Sequence, residues 1–269
     1  MIEVIHNFPL PNPNNTIMKK SVNLLMIVII AFSCKSEQSH LKSDLEIANL
    51  KGNVWKISKT VHDANGKCAC PAAMKTECNQ TEYVYDTEGK LLVSYTVDEN
   101  GSVNDSSNYI HNRRGVCSEV AKFNGKKPVG KEVAVLQDGR VTGYKIYNES
   151  GIIETILNYG YSGDELSEEK TLKSNGEVVS SVQNEYLNGQ LVSQTYKDSN
   201  GNIQSIRKFK RNASNDIIEY LVLTTADNME YLFSYEYEYD SAGNWIKQTR
   251  FYDGQIENIV MRNIEYFTL

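Results

Sequence analysis

The chain has 269 residues, of which 40% are apolar and 23% are charged, and this composition is ordinary for a folded globular protein. The formal net charge is −6 at pH 7 and no long run of lysine or arginine occurs, so the sequence argues against a nucleic-acid-binding surface. The length is enough for one large all-β domain or two smaller domains.

The first recognisable segment is residues 18–33. It opens with the basic stretch Met18-Lys19-Lys20 and continues as the mostly apolar run SVNLLMIVIIAFS. A helix needs roughly 20 apolar residues to cross a bilayer, so this shorter run is typical of a secretory signal peptide. Because the basic region begins only at Met18, we interpret residues 1–17 as an upstream extension from a misassigned start.

Cys34 directly follows the apolar run, after the residues AFS. This arrangement resembles the cleavage box of bacterial lipoproteins, although Ala31 stands where that family usually has leucine. The resemblance implies a lipidated Cys34, a tether over residues 34–47, and an outer-membrane lipoprotein that faces the periplasm or the cell surface. Multiple acyl chains hold a membrane stably, whereas one chain binds only marginally. The alternative is an ordinary signal peptide followed by an unmodified cysteine.

Four further cysteines, Cys68, Cys70, Cys78 and Cys117, form an even set that fits disulfides in an oxidising envelope compartment. A bridge between Cys68 and Cys70 would strain the geometry of the bond. We therefore favour Cys70–Cys78 with Cys68–Cys117, or the crossed alternative. A zinc site is the competing interpretation, but Cys-Ala-Cys is one residue shorter than the usual spacing of zinc ligands.

A short turn motif recurs along the rest of the chain. Its clearest copies are YDTEGKL at 85–91 and YDSAGNW at 239–245, and between residues 89 and 201 the turn glycines are mostly 12 or 13 residues apart. This period is typical of a strand of about eight residues followed by a turn of about four. In Asp-x-x-Gly the carboxylate accepts bonds from following backbone amides, and the glycine takes the positive-φ position.

Alternation of residue types indicates the strands. Tyrosine and phenylalanine occupy every second position from 231 to 239, with leucine, serine and glutamate between them. Residues 41–50 are compatible with one short helix that leads into a first strand at Val54. The sequence therefore predicts an all-β antiparallel meander of roughly 13 to 15 strands. We expect an elongated curved sheet, or two lobes divided near residue 130, with the strand at 259–266 as an exposed edge.

The Tyr-Asp-x-x-Gly copies resemble the RHS or YD repeat, and residues 48–269 are similar to small RHS-type lipoproteins of the Bacteroidetes. A second resemblance, to MORN-like hairpin arrays, implies an open curved meander. Large RHS proteins wind hundreds of residues into a closed shell around a toxin. About fourteen strands are too few for that shell, so we do not carry over the encapsulating role.

The sequence contains no recognisable catalytic or phosphate-binding motif, so we expect neither enzymatic activity nor a cofactor or metal. His62 and His111 stand beside turn residues, where solvated histidines are expected. The densest aromatic group is Tyr235, Tyr237, Tyr239 and Trp245.

We interpret these rings first as hydrophobic cover for a sheet, and alternatively as a surface that binds sugars or a partner protein. The function expected from the sequence is a membrane-anchored scaffold that binds another envelope protein, and the alternative is a carbohydrate-binding module.

Overall fold

The computed structural model describes residues 43–66, 80–98 and 100–268. In this part of the chain one short helix, α1 (Asp44–Ile47), precedes sixteen strands. The strands are β1 (Val54–Asp63), β2 (Gln80–Tyr85), β3 (Leu91–Val97), β4 (Val103–His111), β5 (Cys117–Asn124), β6 (Lys127–Gln137), β7 (Arg140–Asn148), β8 (Ile153–Ser162), β9 (Glu165–Lys173), β10 (Val178–Leu187), β11 (Gln190–Asp198), β12 (Ile203–Arg211), β13 (Ile217–Thr224), β14 (Glu230–Tyr239), β15 (Trp245–Tyr252) and β16 (Gln255–Tyr266). The predicted signal peptide and Cys34 lie outside the described residues.

The sixteen strands form one closed antiparallel barrel, in which each strand pairs with its neighbours in sequence and β1 pairs with β16. The register of the closing pair runs from Val54 opposite Tyr266 to Asp63 opposite Asn258. All-β content and antiparallel hairpins were predicted correctly, but the elongated curved sheet and the two lobes are wrong. Strand twist bends a long meander until its two edges meet, and pairing them satisfies backbone groups that an open sheet would leave unpaired.

Two further predictions are wrong because the barrel is closed. The strand at 259–266, predicted as an exposed edge, is hydrogen-bonded to β1 on one side and to β15 on the other. No division occurs near residue 130, where β6 pairs continuously with both β5 and β7.

The predicted turn chemistry is confirmed. Asp86 Oδ1 accepts hydrogen bonds from the backbone N–H groups of Glu88 at 2.8 Å and Lys90 at 2.9 Å. Gly89 has a φ of +78°, and its N–H donates to the carbonyl oxygen of Asp86 at 3.0 Å. The register of β2 and β3 shifts by one residue beside this turn, as expected for a bulge. Asp240 forms the same pair of bonds in its own turn.

Residues 43–53 cross one end of the barrel, and we call them the plug. The predicted short helix is confirmed as α1, which begins with a capping box between Ser43 and Glu46. The backbone N–H of Leu45 donates to the carbonyl oxygen of Gly89 at 3.0 Å. Part of the plug therefore comes from the stretch that we assigned to the tether, and it packs onto the barrel.

The far side of the plug is bound to turns on the opposite part of the same rim. Asn49 Nδ2 donates to the carbonyl oxygen of Ser214 at 2.9 Å. The backbone N–H of Lys51 donates to Asn244 Oδ1 at 2.7 Å, and Asn244 Nδ2 returns a bond to the carbonyl oxygen of Lys51 at 2.8 Å. We call this end of the barrel, where β2 turns into β3 and β14 turns into β15, the plugged end.

A ring of buried apolar residues supports the plug from inside the barrel. Each odd-numbered strand begins at the plugged end, and its first or second residue is a buried apolar or thiol side chain. These residues are Val54, Leu91, Cys117, Val141, Leu166, Leu191, Ile217 and Trp245. Ile47 of α1 packs in one cluster with Val141 and Leu166. Burial of this apolar surface is what holds the plug in place.

The outer wall of the barrel carries charged pairs. Lys131 Nζ lies 3.1 Å from Glu119 Oε2, and Lys247 Nζ lies 2.6 Å from Glu238 Oε1. All four side chains are partly exposed.

Candidate functional site

The four aromatic residues proposed as a binding surface lie on the inner wall. Tyr235 and Trp245 are buried. The hydroxyl of Tyr237 donates to a backbone carbonyl of β13 at 2.7 Å, and its ring centroid lies 6.0 Å from that of Trp245. Tyr239 is the one ring of the four that remains exposed, at the rim of the plugged end. The structure brings the four together, but as packing inside the barrel.

Cys117 is the one candidate disulfide residue within the described part of the chain. It is a buried free thiol at the plugged end, and burial raises its pKa to about 12. Cys68, Cys70 and Cys78 lie outside the described residues. Gly66 and Gln80, which flank that stretch, are at the other end of the barrel. The proposed pairings stay predictions.

His111 has a role that the sequence did not indicate. We expected a solvated turn residue, but its side chain is 7% exposed and its Nε2 lies 2.9 Å from Asp44 Oδ2 in the plug. The same carboxylate oxygen accepts the backbone N–H of Leu91 at 2.6 Å. Asp44 therefore joins the plug to both β3 and β4. Nothing in the local sequence marks this pair, because its members are 67 residues apart.

Aromatic rings form a continuous row across four strands of the inner wall. Phe209 stacks on Tyr220 with centroids 5.5 Å apart, and Tyr220 on Phe233 at 5.8 Å. Tyr252 continues the row at 5.2 Å from Phe233. The guanidinium of Arg250 lies 4.0 Å from the ring centroid of Phe233. Cation–π contact lets the inner wall hold a buried charge against an apolar surface.

A chain of polar side chains links β9 to β12 on the same wall. Asn184 Nδ2 donates to the carbonyl oxygen of Leu166 at 2.8 Å, and Asn184 Oδ1 accepts from Gln194 Nε2 at 2.9 Å. The hydroxyl of Tyr196 donates to Gln194 Oε1 at 3.1 Å and accepts from Arg207 at 2.9 Å. These groups satisfy one another, so the chain serves the structure of the wall.

Two inner-wall groups depart from this pattern. Glu169 is 4% exposed, and Tyr159 is the residue directly across from it in the register of β8 and β9. Neither Glu169 Oε2 nor the Tyr159 hydroxyl has a hydrogen-bond partner among the described residues. Burial raises the pKa of Glu169 to about 7. By contrast, the buried carboxylate of Glu132 is paired with Lys122.

At the end opposite the plug, the same turn motif places its apolar residues on the outside. Val103 lies across from Val97, and Ile203 across from Lys197, on the face of the wall that carries the outer charged pairs. We call the outward apolar residues at this end the collar. Its members are Val97, Val103, Phe123, Pro128, Tyr147, Ile153, Leu172, Val178, Ile203, Leu223, Phe251 and Ile256.

Three members of the collar, Val103, Ile203 and Ile256, are exposed. Val103 is 44% exposed and Ile203 is 41% exposed, whereas Val141, which follows a turn glycine by the same two positions at the plugged end, is 1% exposed. Exposed apolar side chains at a rim are a common feature of surfaces that contact another molecule. We therefore take the collar as the candidate functional site.

In the described ranges, no group of three or more histidine, cysteine, aspartate or glutamate residues is arranged to hold a metal ion. Within the same ranges, no helix is long and apolar enough to cross a membrane.

No family model matches the chain, and no curated protein matches it. Among solved structures, a porin-like protein from Bacteroides uniformis is 11% identical, with 80% of this chain and 98% of that chain covered and a TM-score of 0.40. A porin-like protein from Bacteroides vulgatus is 12% identical, with 80% and 99% covered and a TM-score of 0.41. The structure of TcdB2-TccC3 is 16% identical over 68% of this chain and 10% of that chain, with a TM-score of 0.27. These comparisons do not show the RHS, YD-repeat or MORN resemblance, and at these TM-scores we transfer no function from them.

Proposed function

We propose that this chain is a membrane-anchored, non-enzymatic protein of the cell envelope that binds a partner protein through the collar. The observation that carries the proposal is the exposure of Val103, Ile203 and Ile256 in the collar, on a barrel whose outer wall also carries charged pairs and whose other end is covered by its own plug. The proposal combines this surface with the lipoprotein-like segment before residue 35.

The position of the plug supports a definite orientation. Cys34 precedes Ser43, the first described residue, by nine residues. A chain of that length spans at most roughly 30 Å when fully extended. A lipid at Cys34 would therefore keep the plugged end close to the membrane, and the collar would face away from it toward the compartment in which a partner is found.

The chemistry of the collar favours a protein partner. Its members are aliphatic and aromatic side chains on short hairpins, between charged turn residues such as Asp98 and Asp198. An apolar centre with a polar rim is the usual composition of a protein–protein interface. The rings first proposed as a glycan-binding surface do not form one, because Tyr235 and Trp245 are buried inside the barrel. Most collar members are aliphatic, so we favour a protein partner over a carbohydrate.

Photo-crosslinking in the native bacterium tests this proposal. A photoreactive amino acid is placed at Val97 or Val103, which lie across from each other in the collar, and, as a matched control, at Leu92, which is 44% exposed at the plugged end. We expect one and the same protein to be crosslinked from both collar positions and not from Leu92. A Val97→Asp substitution should reduce crosslinking from Val103 by at least about tenfold, because a buried unpaired charge disfavours an apolar interface.

Equal crosslinking from Leu92 and the collar would contradict the proposal. So would the absence of a shared crosslinked protein at the two collar positions.

A further inference from the structure

We propose that Glu169 is a proton-binding site inside the barrel, and that loss of its proton loosens the wall formed by β8, β9 and β10. The inference concerns the inner wall and does not depend on the function proposed for the collar.

The position of Glu169 is fixed from both sides. It is the fifth residue of β9, and it lies directly across from Tyr159 on β8 and from Val182 on β10. Its face of β9 also carries Thr171, which is buried. The carboxyl group therefore points into the barrel at mid-height, where the residue is 4% exposed and its Oε2 is buried.

The surroundings supply no direct counter-charge. The titratable and charged groups around this position on the neighbouring elements are Asp44 on α1, Glu132 on β6, Tyr144 on β7, Tyr159 and Tyr161 on β8, Tyr186 on β10, Tyr196 on β11 and Arg207 on β12. The cations near this set have other partners: Arg207 lies over the ring of Tyr196 and donates to its hydroxyl, Arg140 lies over the ring of Tyr161 and pairs with Asp164, and Lys122 pairs with Glu132. Burial is the one cause that shifts the pKa of Glu169.

Because Glu169 Oε2 and the Tyr159 hydroxyl have no hydrogen-bond partner among the described residues, the neutral and the ionised forms of Glu169 affect the stability of the wall differently. A neutral carboxyl group is a small polar group that the wall tolerates, and it offers a donor toward the phenol oxygen. An ionised carboxylate in the same place is a buried charge with no hydrogen bond to its Oε2, which is costly in an apolar interior. Local opening of the wall would let water solvate the charge.

The sign of the pH effect follows from the direction of the shift. The ordinary pKa of glutamate is 4.5 and the value in the folded barrel is about 7, so the folded state binds this proton more tightly than the unfolded state. The stabilisation that the proton on Glu169 contributes is therefore fully present below pH 4.5. It is lost as the pH rises toward 7, and it changes no further above that pH. Between pH 5 and 8 the change corresponds to on the order of a 100-fold increase in the opening equilibrium constant.

Carbon-13 NMR of glutamate-labelled full chain tests the proton site directly. We expect one side-chain carboxyl carbon to titrate with a midpoint near 7, and this signal to be missing from Glu169→Gln. Glu168→Gln is the matched control, because Glu168 is the preceding residue and forms an ion pair with Lys170 on the outer wall. A spectrum in which every glutamate of the wild type titrates below about pH 5.5 overturns the proposal.

Hydrogen exchange tests the loosening. After correction for intrinsic rates, we expect amide exchange in β9 and β10 to accelerate on the order of 100-fold from pH 5 to pH 8 in the wild type and in Glu168→Gln. In Glu169→Gln this acceleration should disappear, because the isosteric amide carries no charge. Identical pH profiles in the wild type and Glu169→Gln would show that the wall does not respond to this proton, and would overturn the proposal.

Discussion

The two ends of the barrel use the same turn motif and reach opposite outcomes. At the plugged end, Leu91 and Trp245 follow their turn glycines by two positions and point inward beneath the plug. At the collar end, Val103 and Ile203 follow theirs by the same two positions and point outward. The turn chemistry therefore does not determine whether the apolar residue after the turn is buried inside the barrel or exposed on its outer wall.

The number of residues between successive turns explains why the two ends differ. Because side chains alternate between the two faces of a strand, the number of residues between successive turns fixes the face on which each turn's apolar residue lies. Tyr85, which precedes the turn at the plugged end, faces inward and pairs with Leu91, whereas Val97 at the next turn faces outward and pairs with Val103. One repeated motif thus builds a core at one end and a surface at the other.

The largest effect is expected from uncoupling the plug. Asp44→Ala removes the acceptor for the backbone N–H of Leu91 and the partner of His111, and leaves both buried. We expect the free energy of unfolding to fall by about 2 to 5 kcal/mol, because unsatisfied buried groups carry their full desolvation penalty. Urea denaturation measures this loss. Asp44→Asn, which keeps one acceptor oxygen, should lose less, and a loss below about 1 kcal/mol for Asp44→Ala would show that the plug does not stabilise the barrel.

A matched pair of valines compares the two ends directly. Val141→Ala at the plugged end should cost about 2 kcal/mol, since it removes two methyl groups from a well-packed site. Val103→Ala in the collar should change stability by less than about 0.5 kcal/mol, because the side chain is already exposed to water. Thermal and urea unfolding of both variants check the prediction, and equal losses would contradict the difference between the ends.

The smallest difference between the two ends is expected from the turn aspartates, where the two ends should agree. Asp86→Ala at the plugged end and Asp98→Ala at the collar end each remove two bonds to backbone N–H groups. Each substitution should cost about 1 kcal/mol. A marked difference between the two, measured by urea unfolding, would mean that the plug also supports the turn below it.

The local elements of this fold could be predicted from the sequence, because their causes are local. Asp86 and Gly89 define a turn through bonds that span four residues, and the tyrosines of β14 mark its inner face by alternation. Barrel closure could not be predicted in this way. It depends on accumulated strand twist and on the pairing of β1 with β16, whose residues are about 200 positions apart in the chain.

The candidate sites divide in the same way. To predict the collar, one must know which face of the sheet each residue of a strand occupies. A bulge beside each turn shifts this alternation by one residue, and the sequence does not clearly mark the bulge. Glu169 could not be told from its outward neighbours, since β9 reads ELSEEKTLK and carries polar residues on both faces. The aromatic cluster ending in Trp245 was recognised, but the face that it occupies became clear only from the closed barrel.

Hydroxyl-radical footprinting of the full chain, purified and in its native envelope, tests the central claim most directly. With rates normalised to the unfolded chain, we expect Val103, Ile203 and Ile256 to be modified readily in the purified protein, and those on the side that the partner covers to be protected in the envelope, while Leu92 is modified in both. This result would identify the collar as the surface that a partner covers. Collar residues that all stay equally reactive in the envelope, or that are already protected in the purified protein, would contradict the account.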